Sequence, residues 1–223
     1  MKQRRRAEIH YEWQVLVSLV VISLLFSSLA TSLAGTLPFP DFSPEATRVG
    51  TLALSGFMLL LVIVSLFLNR VRITRAAVFT FTAIVTIYLL LGVTQLVASL
   101  PHLQGAALGL SLLRDAASVW VINIILFAVW CWLIDGSGPA KRRMSSKRKG
   151  FLFPQEALKI IGWEDWKPSF YSYLFMSFQF STTFGPTDIY VLSRRAKFIV
   201  FVEVTISLVT ITMFIARAFS LIG

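Results

Sequence analysis

Charge is scarce in this chain of 223 residues: Asp, Glu, Lys and Arg together make up 14%. A soluble domain carries closer to a quarter, so a water-exposed globule is excluded. Cysteine occurs once, as Cys131 within an apolar run. That rules out a disulfide framework within the chain, and the residue reads as a small buried hydrophobe. Histidine occurs twice, and His10 and His102 fall near opposite membrane faces under the topology below, so they share no metal. There is no Gly-rich phosphate loop and no nucleophile elbow. The apolar runs lack paired ionisable residues, and Asp115 and Asp135, which flank the fourth, read as helix-end markers. An enzyme is therefore not expected, nor an organic cofactor.

What is present is apolar. Hydrophobic residues reach 56%, and mean hydropathy is +0.74. Five runs have the length and composition of spans: about 13–34, 50–68, 76–100, 116–134 and 196–219. In hydrocarbon every backbone N–H and C=O needs a partner within its own segment, so all five are expected to be helices. Pro38, Pro40, Pro44 and Pro101 punctuate the connections. The first run is about 20 residues, which is span length rather than signal length, so cleavage is not expected. Trp13, Trp130, Trp132, Trp163 and Trp166 fall near the expected interfaces.

The net charge of +10 lies between the apolar runs. Anionic lipid headgroups rather than nucleic acid are the expected partner, chiefly at Lys141, Arg142, Arg143, Lys147, Arg148 and Lys149. With the N-terminus in the cytoplasm, all of the 21 Lys and Arg residues except Arg48, Arg114 and Arg217 fall inside. The positive-inside rule therefore predicts a plasma (inner) membrane protein with a cytoplasmic N-terminus. Phe151 to Trp163 reads as a short amphipathic helix starting near Pro154, with Leu158, Ile160 and Ile161 on its apolar side, either lying on the membrane surface or packed as a connector against other helices.

The remaining segment is the informative one. Pro168 to Asp188 is too short to cross the membrane and return as helices, yet it is rich in aromatics. It reads as a re-entrant loop: a short helix whose cap is expected at Ser169, ending near Thr182 before Gly185 and Pro186. Glu203 lies about two turns into the last span, and an ionisable group there is a functional candidate by default. Its competing reading is an ion pair with Arg194, Arg195 or Lys197. Asn123 and Gln95 read as helix-to-helix hydrogen bonders, and Thr205, Ser207, Thr210 and Thr212 as a mildly polar face suited to water or close packing. The first three runs carry no arginine at every third position, so voltage sensing is not expected.

Ser169-Phe-Tyr-Ser-Tyr-Leu-Phe-Met-Ser-Phe-Gln-Phe-Ser-Thr-Thr-Phe-Gly-Pro-Thr-Asp188 resembles the pore region of the potassium-channel superfamily. There an aromatic pore helix ends in Thr-Thr-Val-Gly-Tyr-Gly-Asp. It is also similar to bacterial multi-pass membrane proteins that have such a terminal loop followed by Ser-Arg-Arg. The resemblance covers residues 116–219, with Phe127 to Gly136 similar to the end of an outer pore helix. It implies an all-α membrane protein with five transmembrane helices, plus a re-entrant pore helix and filter-like loop before the last. Residues 1–115 would form a peripheral three-helix bundle and 116–223 the pore-like domain.

The implied ion pathway is Thr182, Thr183, Phe184, Gly185, Pro186, Thr187 and Asp188, in a homo-oligomer, expected as a tetramer. Gln179 would brace the filter, and Glu203 and Thr210 would line or gate the pore. K+ or Na+ would be the bound ions. Pro186 and Thr187 replace the residues that let successive carbonyls face an ion, so a shorter filter is expected. A potassium channel inserts this loop from outside, whereas the charge distribution places it inside. Either the loop is inverted, as in the glutamate-receptor class, or the chain departs from the positive-inside rule. The expected function is an oligomeric pore-loop channel for monovalent cations. The alternative is a transporter subunit or a non-conducting scaffold with a pore-like fold.

Overall fold

The computed structural model describes residues 2–33, 44–68, 71–99, 106–135, 150–158, 162–163, 166–183 and 188–222. They form seven helices and two short strands. The long helices are α1 (Lys2–Leu33), α2 (Pro44–Phe67), α3 (Val71–Ser99), α4 (Ala106–Ile134) and α7 (Arg194–Ile222). Between α4 and α7 come β1 (Phe151–Leu152), α5 (Pro154–Ala157), α6 (Phe170–Thr183) and β2 (Tyr190–Val191). Three helices contain stretches long and apolar enough to cross a membrane: Ile73–Ala98 in α3, Leu113–Ile134 in α4 and Arg194–Ala216 in α7. Trp13–Leu29 in α1 and Val49–Val64 in α2 are shorter apolar stretches.

The helices solve the problem of polar backbone in apolar surroundings by closing every possible bond internally. Many of their Ser and Thr hydroxyls do the same, donating to a carbonyl one turn earlier. Ser23 bonds Leu19 at 2.8 Å, Thr82 bonds Val78 at 2.9 Å and Thr86 bonds Thr82 at 2.6 Å. A hydroxyl satisfied in this way is tolerated within a span. Pro44 opens α2 at a position where a missing N–H costs nothing. Many large apolar side chains face outward, among them Leu24, Phe57, Leu60, Phe79 and Ile87. Bilayer lipid is the surrounding that suits them.

The chain forms two compact units. One comprises residues 19–123 and 206–223. Within it α2 packs on α3, and Leu19, Ile22, Val62, Phe81, Val85 and Leu89 are buried. Phe26 meets Tyr88 edge-on at 5.3 Å. Asn123 donates from Nδ2 to Ser207 Oγ at 2.8 Å, joining α4 to α7 as an amide in such a helix is expected to do. Thr210 is buried, its hydroxyl bonded back to the Ile206 carbonyl at 2.7 Å.

The other unit comprises residues 1–18 and 124–205. Here the structure departs from two expectations. The amphipathic helix is only the single turn Pro154–Ala157, opened by Pro154 after an extended Phe153, and Leu158 is 70% exposed. Ile160 and Ile161 lie outside the described residues. The stretch before it is a strand: Phe151 pairs with Val191 and Leu152 with Tyr190, antiparallel. Phe151 and Phe153 point inward with Leu152 less buried between them, the two-residue alternation of a strand. Trp132 is packed inside the protein.

Candidate functional site

The site is built around α6. At 14 residues it is about 21 Å long, well short of a bilayer's hydrocarbon core. Its N-terminus is capped, with the roles of the serines exchanged relative to expectation. The Ser172 hydroxyl accepts from the Ser169 backbone N–H at 3.2 Å, and the Ser172 N–H donates to the Ser169 carbonyl at 3.0 Å. One face of α6 buries Phe170, Tyr173, Met176, Ser177, Phe180 and Ser181. The opposite face presents Tyr171, Phe175 and Phe178.

The first turns of α6 are fastened to the end of α4. Asp135, immediately after α4, accepts from the Tyr173 hydroxyl at Oδ2 (2.7 Å) and from the Gly150 N–H at Oδ1 (2.9 Å). The Gly150 carbonyl in turn accepts from Leu192 N–H at 2.8 Å, next to the β1–β2 pairing. Gly150 is tightly enclosed: an added Cβ would lie 3.3 Å from Asp135 Oδ1, which would have to give way slightly, and 3.8 Å from the Ala196 methyl. The Tyr173 ring packs edge-on against Phe153 at 5.5 Å, and Phe153 leans on Trp166 at 5.4 Å. The end of α4, the ribbon, the start of α6 and the approach to α7 therefore meet at one place.

Two turns further, α6 meets the middle of both long helices. Ser177 and Ser181 are one helical turn apart and share a face. The Ser177 hydroxyl bonds the Ile124 carbonyl of α4 at 2.7 Å and also contacts Glu203 Oε1 of α7. The Ser181 hydroxyl donates to the same Oε1 at 3.3 Å. Glu203 is wholly buried, as are both serines. Ile124 lies about 16 Å along α4 from Asp135, and Glu203 about 14 Å into α7 from Arg194. So α6 starts level with the end of α4 and finishes alongside the middle of α4 and α7.

At its C-terminal end Thr182 is half-buried and Thr183 exposed. The Thr182 hydroxyl bonds back to the Phe178 carbonyl at 2.8 Å, and the Thr183 hydroxyl to that of Gln179 at 2.7 Å. Phe184, Gly185, Pro186 and Thr187 lie outside the described residues, as do Lys141, Arg142, Arg143, Lys147, Arg148 and Lys149. Asp188 is exposed, and by Tyr190 the chain is again beside β1. Six residues separate Thr183 from Tyr190, seven Cα-to-Cα steps, enough to reach about 24 Å when extended.

Among the expected site residues, Glu203 is thus brought against α6, while Thr182, Thr183 and Gln179 share its last turns. Thr210 belongs to the other unit. The partners of Glu203, Ser177 and Ser181, were not singled out by sequence reasoning. Their signal was present: two serines four apart in an aromatic helix, followed by one carboxylate in the next span. Among the described residues no group of three or more His, Cys, Asp or Glu is placed to hold a metal ion. Compared with known proteins, the chain matches no protein-family model, no curated protein and no solved structure.

Proposed function

We propose that this chain is one subunit of an oligomeric pore-loop channel that passes monovalent cations, K+ or Na+. Five helices span the plasma membrane, and residues 168–192 form a re-entrant loop. The observation that carries this reading is the path of α6. It leaves the Asp135 junction, reaches Glu203 at mid-helix, and its chain is back at Gly150 by Leu192. A helix too short to cross, with both flanks at one end of its neighbours, is a helix that enters and leaves by the same face.

Such a helix ends with up to four carbonyls free of intrahelical donors. Hydrocarbon does not tolerate them, whereas a water-filled axis or an ion does. One copy encloses no axis, and four copies arranged around one do. Thr182 and Thr183 then stand at the inner end of the pathway, the Phe184 and Gly185 carbonyls in the filter and Asp188 at its mouth. Glu203, buried against two α6 serines, holds the pore helix rather than touching the permeating ion.

The test is cation flux into liposomes containing the purified full chain. Flux is expected in the wild type, together with its loss in Gly185→Pro at unchanged helicity and oligomer mass. No flux from folded protein, or flux unaltered in Gly185→Pro, overturns the proposal.

A further inference from the structure

We propose that the start of α7 is a binding site for one phospholipid with a net negative headgroup, such as phosphatidylglycerol. The site consists of Arg194, Arg195 and Lys197 at the headgroup and Phe198 and Phe201 along the first acyl carbons. Arg194, Lys197, Phe198 and Phe201 are spaced three, four and seven residues from the first, so they occupy one face of the helix. Both cations are exposed, and each phenylalanine is 68% exposed. Thr205 and then Leu208, which is 51% exposed, continue the same face deeper. Charge followed by aromatic and then apolar surface is the profile of a phospholipid read from phosphate to chain.

Three further observations favour this occupant. Among the described residues, the basic side chains make no ion pair or hydrogen bond. They also stand in the first turn of α7, where Ser193 Oγ accepts from the Ala196 N–H at 3.1 Å. That is the positive end of the helix dipole, the least favourable place for cations without a nearby anion. Finally, Tyr190 and Leu192, just before the helix, are 63% and 51% exposed. They form the apolar collar that a headgroup region accepts and water does not. The Arg194–Ala216 stretch is about 34 Å long, which sets the three cations at headgroup level when it crosses the core. The positive-inside distribution puts them in the leaflet where anionic lipid attracts basic residues. The site does not depend on conduction.

The experiment places the full chain in phosphatidylcholine vesicles doped with spin-labelled phosphatidylglycerol or spin-labelled phosphatidylcholine. It reads the motionally restricted fraction of each. Wild type is expected to retain the anionic lipid preferentially, and raising salt should weaken that preference. The preference should fall about fivefold for each charge removed, in Lys197→Gln and again in Arg194→Gln with Lys197→Gln. Phe198→Ala with Phe201→Ala should lower retention of both lipids without changing their ratio, and Arg114→Gln should change nothing. Equal retention of the two lipids by wild type, or an unaltered ratio in Lys197→Gln and in the double variant, overturns the site. Displacement by inorganic phosphate at the same concentration would make it a free-anion site instead. Disulfide cross-linking between copies through Phe198→Cys would assign the face to a second copy. Either outcome also overturns the proposal.

Discussion

Glu203 shows what a single side chain can specify within an apolar helix. Its carboxylate is the common acceptor for two serines of α6, one of which also reaches a carbonyl of α4. Three helices are thereby set in rotation and depth by one residue, a degree of specification that interchangeable Leu and Val contacts do not supply. Glu203→Ala removes the shared acceptor where water is excluded. The expected loss is about 2–4 kcal/mol, the combined cost of a stranded Ser181 hydroxyl and a small cavity, Ser177 keeping the Ile124 carbonyl. Glu203→Gln keeps an acceptor oxygen and should lose clearly less. Denaturation in detergent of both variants checks the ordering, and an alanine variant as stable as glutamine would contradict it. The carboxylate stood out in the sequence because any ionisable group inside a span does. Its partners did not, since serine in an apolar helix is ordinarily satisfied by its own backbone, as Ser18, Ser23 and Thr82 are here.

At the level of elements, the long helices and the short α6 were legible because hydropathy and length dictate them. The β1–β2 ribbon was not, since two residues per strand give almost no periodic signal and the partners lie about forty positions apart. Its need for close approach is concentrated at Gly150. There an added methyl would press on Asp135 at 3.3 Å, the same carboxylate that holds Gly150 and Tyr173. Gly150→Ala is expected to destabilise the protein by about 1–2 kcal/mol as the Asp135 junction shifts. Gly56, inside α2, has nothing within 4 Å of an added Cβ. Gly56→Ala should be neutral or stabilising by up to about 1 kcal/mol, through better helix propensity. Thermal unfolding of the two variants side by side separates local crowding from a general intolerance of substitution.

For the whole molecule, the contacts around Asp135 bear on the proposed topology. The end of α4, the ribbon and the start of α7 meet there, so Gly150 and the first turn of α7 lie at the same end of α4. In the proposed channel, positive charge assigns that end to the cytoplasm, because the 136–149 segment and the start of α7 both carry basic runs. With that end cytoplasmic, α6 dips in from the inside, opposite to the potassium-channel arrangement that its sequence resembles. Cysteines introduced at Ser145 and at Arg194 should both resist a membrane-impermeant thiol reagent added to intact cells, and both react after the membrane is opened. The native Cys131 is buried and stays silent in the assay. Labelling of both sites in intact cells would keep the shared face but turn the loop outward, against the charge distribution. Labelling of one site alone would break the α4–ribbon–α7 junction itself. The channel reading would then lose its footing, because α6 would no longer return to the face from which it started.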